Sequence, residues 1–223
     1  MKYKFLLFDL DNTLLDFHRS EKESLSLLYS ENGIVMSEEM YKSYYDINVK
    51  LWEDCEKGLV SLDEVLNTRF SIALRKQGIE VDGKVWETKY REYLDTIVFL
   101  MEDALEVIDT LSKNHRLFII TNGVKTTQMK RLTDSNLLQY FERVFISGDI
   151  GYQKPAVEYF DYVAQNIEGF DKKKALVIGD RISSDIQGGI NAGIDTCLFT
   201  NEEVEAIATY RIRGLKELCE ILK

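Results

Sequence analysis

The sequence holds one proline, three cysteines and two histidines in 223 residues. A single proline excludes Pro-rich linkers and low-complexity stalks. Cys55, Cys197 and Cys219 are odd in number and lack metal-ligand spacing, and two histidines leave a structural zinc site short of ligands. Reduced thiols in a cytoplasmic protein are the expectation. Positive charge is scarce too: 28 basic side chains face 38 acidic ones, for a formal net charge of −10. No basic stripe exists to release counterions from a polyanion, so a nucleic-acid polymer is not an expected partner. A small phosphorylated metabolite, which needs only a local positive site, remains open. Long apolar runs are also missing. Lys2 and Lys4 precede Phe5-Leu6-Leu7-Phe8, but the run breaks at Asp9 and Asp11, too short for a signal core or a bilayer span. No membrane association is expected, and no protein partner is evident.

What is present suits a packed core. The chain is 45% hydrophobic and 30% charged, which puts it among ordinary globular proteins rather than disordered ones. Lys4 to Leu10 reads as a buried strand ending in the polar loop Asp9-Leu10-Asp11-Asn12-Thr13. From Arg19 to about Leu100 the apolar residues recur every three or four positions, as in successive amphipathic helices. Breaks fall near Asn32-Gly33, Lys57-Gly58, Gly78 and Asp82-Gly83, and Ser61 with Glu64 forms a capping box. After Met101 strand and helix alternate. Helices are expected at 103–113, 125–135, after Pro155 and around 186–191, with strands at 116–120, 144–147, 175–178 and 196–199. Such alternation implies right-handed crossovers and a doubly wound parallel sheet. The expected fold is an α/β, Rossmann-like core with an inserted all-helical cap. The core takes residues 1–16 and 98–223, the cap residues 17–97.

In such a sheet, ligands bind beyond the carboxyl ends of the strands. Asp9, Asp11 and Thr13 follow the first apolar run, and Thr121, Asn122 and Gly123 the second. Ser147, Gly148, Asp149 and then Lys154 follow the third, and Gly179, Asp180 and Asp185 the fourth. Asp9 and Asp11, two apart in extended backbone, point to one side roughly 6–7 Å from each other. With Asp180 they form an all-oxygen, strongly negative nest that a hard cation such as Mg²⁺ would stabilise. An aspartate can attack phosphorus, and a second can move the proton that the leaving and attacking oxygens require. Thr121, Asn122 and Lys154 would bind the phosphoryl oxygens.

Phe8-Asp9-Leu10-Asp11-Asn12-Thr13-Leu14, Thr121-Asn122-Gly123, Lys154-Pro155 and Gly179-Asp180 through Asp185 resemble, in order, the four motifs of the haloacid dehalogenase superfamily. The resemblance covers essentially the whole chain. It implies Asp9 as nucleophile and Asp11 as acid/base. It further implies Mg²⁺ on Asp9, Asp180 and the backbone carbonyl of Asp11, supported by Asp185, with Thr121 and Lys154 gripping phosphate. An acid at position 11 favours phosphoryl transfer over halide displacement, which needs no protonated leaving oxygen. Arg181, where many relatives carry Ser or Thr, is read as a surface side chain. Leu66-Asn67-Thr68-Arg69-Phe70 and the stretch Asp185 to Cys197 are similar to the bacterial pyrimidine 5′-nucleotidases within the superfamily. A Mg²⁺-dependent phosphatase acting on nucleoside 5′-monophosphates is therefore expected. A sugar-phosphate phosphomutase of the same superfamily, a haloacid dehalogenase and a non-catalytic phospho-receiver module stand as alternatives. Phe17 and His18 follow the catalytic loop as possible substrate contacts, Tyr44, Tyr45 and Trp52 read as core, and His115 reads as a surface residue.

Overall fold

The computed structural model describes residues 2–205 and 207–223. The chain divides into two compact units, Met1–Phe17 with Val98–Lys223, and His18–Ile97.

The first unit is built on six parallel strands: β1 (Phe5–Phe8), β2 (Arg116–Thr121), β3 (Arg143–Ile146), β4 (Ala175–Gly179), β5 (Asp195–Phe199) and β6 (Tyr210–Ile212). Their order is β3-β2-β1-β4-β5-β6, which puts β1 inside the sheet. β1 is apolar at every position because both of its faces are covered. Leu6 and Phe8 join one buried cluster with Leu117, Ile119, Leu176 and Ile178. Phe5 and Leu7 join a second cluster on the opposite face with Phe118, Ile120 and Val177. Phe8 is in register with Ile119 on one side and Ile178 on the other. Asp9, Thr121 and Asp180 therefore leave the sheet at nearly the same level.

The helices of the second unit are α1 (Phe17–Glu31, whose first residue belongs to the first unit), α2 (Glu38–Glu56), α3 (Leu62–Arg75) and α4 (Gly83–Leu94). The capping box opens α3 with both reciprocal bonds present. Gly58 sits at φ +70° just beyond α2, the left-handed step that ends a helix. The interior of this unit is partly polar. Arg69, 2% exposed, forms a fork with both carboxylate oxygens of Glu87 at 2.8 Å each and donates to Asn48 Oδ1 at 3.0 Å. Asn48 in turn donates to Glu21 Oε1 at 3.0 Å. The rings of Tyr44, Phe70 and Tyr90 surround the guanidinium. Tyr44 is fully buried as expected, whereas Tyr45 and Trp52 are only half-buried.

The remaining helices belong to the first unit: α5 (Ala104–Ser112), α6 (Lys125–Asp134), the short α7 (Ser147–Ile150), α8 (Val157–Gln165), α9 (Gln187–Ala192) and α10 (Lys216–Ile221). The expected elements from residue 103 onward are present, with α8 following Pro155 as expected and two shifts elsewhere. Ser147 starts α7 instead of ending β3, and Ile182–Ile186 forms a π-helical turn before α9. β6 and α10 lie beyond the last strand read from the sequence. His115 is a correction: it is buried, and its Nδ1 lies 3.0 Å from the Tyr3 carbonyl oxygen. The α5–β2 turn folds it inward, and burial holds its pKa below the usual histidine value. Among the described residues, no helix is long and apolar enough to cross a membrane.

Removing one partner of a buried ion pair strands the other. Glu87→Leu is expected to lose about 3–5 kcal/mol in urea denaturation because Arg69 is left without its fork, and Glu87→Leu with Arg69→Met to regain much of that. A double variant no more stable than Glu87→Leu would contradict this account of the pair.

Candidate active site

Asp9 follows β1 directly and continues the ladder by donating its backbone N–H to the Ile178 carbonyl at 2.8 Å. The loop then turns tightly. Asn12 takes φ +60°, a conformation that asparagine tolerates better than most residues, and its N–H reaches the Leu15 carbonyl at 2.7 Å. The turn leaves Asp9 7% exposed. One carboxylate oxygen, Oδ1, accepts from Lys154 Nζ at 2.7 Å, and the other, Oδ2, from Thr13 Oγ1 at 3.3 Å.

Lys154 is the positive centre of the site. Its Nζ also donates to Asp185 Oδ1 at 2.6 Å and to the Ile120 carbonyl at 3.0 Å, which occupies all three ammonium hydrogens. A phosphate grip by Lys154 would require exchanging one of these bonds. Burial alone would lower the lysine pKa, but the charges of Asp185 and Asp9 outweigh it and hold the group charged. Asn122 is expected at the phosphate, yet its side chain pairs at both ends with the Lys154 backbone, at 2.9 Å each way. That pairing makes its side chain a clamp on the loop that carries the lysine.

Asp185 enters from the π-helical turn, where its Oδ2 accepts the Arg181 N–H at 3.1 Å. It can approach because residue 179 is glycine: a Cβ there would overlap the Asp185 carboxylate. Asp9, Asp180 and Asp185 bring carboxylate oxygens within 4.8 Å of one another. Asp180 Oδ1 is buried with no hydrogen-bond partner among the described residues. Three converging carboxylates, one with an orphaned oxygen, suit a hard divalent cation. Burial pushes Asp9 up to about 7, with Lys154 pulling it down and Asp185 and Asp11 pushing it further up. Asp180 is raised well above the carboxylate range by burial and by the charges of Asp9 and Asp185.

Asp11 stands apart from this cluster. Its Oδ1 accepts from Arg131 Nη1 at 2.5 Å and its Oδ2 from Gln128 Nε2 at 2.7 Å. Sequence reading missed both donors. They lie three apart on α6 and so share one helix face, which was the signal available. Thr121 Oγ1 accepts from Gly123 N–H at 3.0 Å and from Gln128 Nε2 at 2.9 Å, so its own hydrogen is left to donate outward. Gly123 permits the approach, since a Cβ there would overlap the Gln128 amide. Phe17 lies with its ring centroid 5.3 Å from the Arg131 guanidinium carbon. His18 is exposed in the other unit, its ring 5.6 Å from that of Tyr45. Arg181 is half-buried; its backbone N–H serves Asp185, and its charge acts to lower the pKa of Asp180.

A doubly wound parallel sheet with a buried aspartate after an inner strand, a lysine against it and carboxylates around it is a site suited to cation-assisted chemistry on a small anionic ligand. The family model described as haloacid dehalogenase-like hydrolase matches residues 6–199, and the chain belongs to that family. It is 44% identical over 226 residues to a Bacillus subtilis protein named as a HAD-hydrolase, YfnB, covering 99% of this chain and 96% of that one. The crystal structure of YfnB bound to magnesium matches with a TM-score of 0.97, over 100% of this chain and 99% of that one. The chain is also 40% identical over 228 residues to the pyrimidine 5′-nucleotidase PynA of Streptococcus pneumoniae, covering 100% of this chain and 96% of that protein. With the pyrimidine 5′-nucleotidase YjjG of Escherichia coli the identity is 30% over 226 residues, covering 100% of this chain and 99% of that one. It is a phosphoric monoester hydrolase of this family.

A carboxyl whose pKa is raised by folding keeps a proton that the unfolded chain has lost. The stability it contributes is complete below the unfolded value near 4 and declines as pH rises towards about 7 for Asp9. In EDTA, stability from this cluster should therefore fall between pH 5 and pH 8. Asp180→Asn, with one charge fewer, should fall less over the same interval. Denaturant titrations at the two pH values measure the difference, and equal losses in both proteins would contradict the crowding described.

Proposed function

We propose that this chain hydrolyses nucleoside 5′-monophosphates, pyrimidine nucleotides foremost, with Mg²⁺ as cofactor and an aspartyl-phosphate at Asp9. The observation that carries the reading is the state of Asp9, buried, fixed at both oxygens by Lys154 and Thr13, and followed two residues on by a second carboxyl. The likeness to relatives named pyrimidine 5′-nucleotidases supports the substrate class. Cys55, Cys197 and Cys219 form no disulfide among the described residues, which fits a cytoplasmic location.

In the first step an Asp9 oxygen bonds to phosphorus and the bond from phosphorus to the ester oxygen breaks. Asp11 gives its proton to that leaving oxygen. In the second step water attacks phosphorus, its proton passes to Asp11, and the bond between Asp9 and phosphorus breaks to release inorganic phosphate. Asp9, Asp180 and the Asp11 backbone carbonyl would hold Mg²⁺, with Asp185 fixing the carboxylate cluster through Lys154 and the Arg181 N–H. When bound, the ion supplies positive charge against the phosphoryl oxygens. Thr121, whose hydroxyl hydrogen is free to donate, would bind a phosphoryl oxygen, and Lys154 would exchange one bond to do the same. Phe17 and His18 are proposed to contact the rest of the substrate.

Phosphate release from a panel of nucleoside monophosphates and sugar phosphates, with Mg²⁺ or EDTA, tests the reading. Pyrimidine nucleotides should rank first and EDTA should stop turnover. Asp9→Asn should lower kcat by more than about 10⁴-fold, and Asp11→Asn by about 10²–10⁴-fold. An isomerised sugar phosphate in place of inorganic phosphate would identify a mutase, and a folded protein with no release from any substrate would sink the proposal.

A further inference from the structure

Gln128 and Arg131 have no part in the chemistry above, yet they are buried beside it. Arg131 is 0% exposed, and among the described residues its Nε and Nη2 have no hydrogen-bond partner. Its polar contacts run from Nη1 alone, to Asp11 Oδ1 at 2.5 Å and to Gln128 Oε1 at 3.1 Å. Burying a guanidinium is costly, and buried ion pairs can often be replaced by well-packed apolar side chains without loss of stability. This one instead aims its single engaged nitrogen at a carboxylate that remains 28% exposed. Gln128 completes the grip by donating to Asp11 Oδ2 at 2.7 Å, and the Phe17 ring packs against the guanidinium that anchors it.

We propose that Arg131 and Gln128 are positioning residues for proton transfer at Asp11. They fix the carboxyl so that it meets the leaving oxygen in the first step and the attacking water in the second. Each Asp11 oxygen accepts one of these bonds on one lone pair and keeps another, so the proton being moved and the bonds that aim the carboxyl use different sites. A carboxyl in a loop without such partners would sample several rotamers, and proton transfer requires hydrogen-bond reach. The inference rests on the reading of Asp11 as acid/base.

Leaving-group chemistry tests it. Protonation matters when an alkoxide departs and matters little when a stabilised phenolate does. The readout is kcat/KM for the best alkyl phosphate of the panel divided by kcat/KM for 2,4-dinitrophenyl phosphate. Arg131→Met is expected to lower this ratio by about 10–100-fold, within the range that acid–base catalysis supplies, and Arg131→Lys to restore part of it. Gln128 also touches Thr121, so Gln128→Met should slow both esters but still depress the ratio. In an Asp11→Asn background, adding Arg131→Met should leave the ratio unchanged. If Asp11→Asn depresses the ratio while Arg131→Met and Gln128→Met slow both esters equally, the two residues are only structural and the proposal is overturned. If Asp11→Asn leaves the ratio unchanged, the acid/base reading of Asp11 itself fails. Should Arg131→Met not fold, Gln128→Met decides by the same ratio.

Discussion

One buried ammonium holds the site together. Lys154 Nζ sits between Asp9 and Asp185, donating to each, with its third hydrogen on the Ile120 carbonyl. Without it, two carboxylates would face each other in a space that excludes water, and one would take up a proton. The rest of the local structure serves this contact. β1 and β4 are paired in register so that Asp9 and the loop carrying Asp185 emerge side by side, Gly179 lets the Asp185 carboxylate close in, and Asn122 pins the lysine's backbone.

Four carboxylates at this edge are handled in three ways. Asp9 and Asp185 share a lysine, which keeps both oriented. Asp11 is turned to the side, onto Arg131 and Gln128. Asp180 has no such partner for Oδ1 and retains the raised pKa of a crowded acid. The unmet charge therefore falls where the family's metal chemistry needs it. Under the proposed mechanism the division would also separate roles, because a group that attacks phosphorus must be a carboxylate while a group that protonates an ester oxygen must be able to carry a proton.

Much of this was legible in the sequence, for identifiable reasons. Strands buried on both faces are short apolar runs, so their ends are sharp, and the polar residues just after them include those that the sheet gathers at this edge. The capping box of α3 and the glycine beyond α2 were equally plain. Other features were hidden. Arg131 and Gln128 lie on α6 among Lys125, Thr127, Lys130 and Thr133, and polar residues at helical spacing read as a solvated face until the fold turns one side inward. Asn122 reads as a phosphate ligand from its motif, and only the chain's path shows its amide engaged with Lys154. β6 is three residues with an exposed Arg211 at its centre, too short and mixed to stand out. His115 is buried by a turn that no local pattern encodes.

The bond between Asp9 and phosphorus proposed to form during turnover is open to direct observation. Rapid acid quenching of the Mg²⁺-loaded enzyme with radiolabelled substrate, followed by proteolysis and mass spectrometry, reads this directly. One phosphorylated peptide is expected, the one containing Asp9, absent in Asp9→Asn and accumulating in Asp11→Asn with an aryl phosphate, where the second step lacks its base. Turnover with no labelled peptide, or with label on another residue, would contradict it.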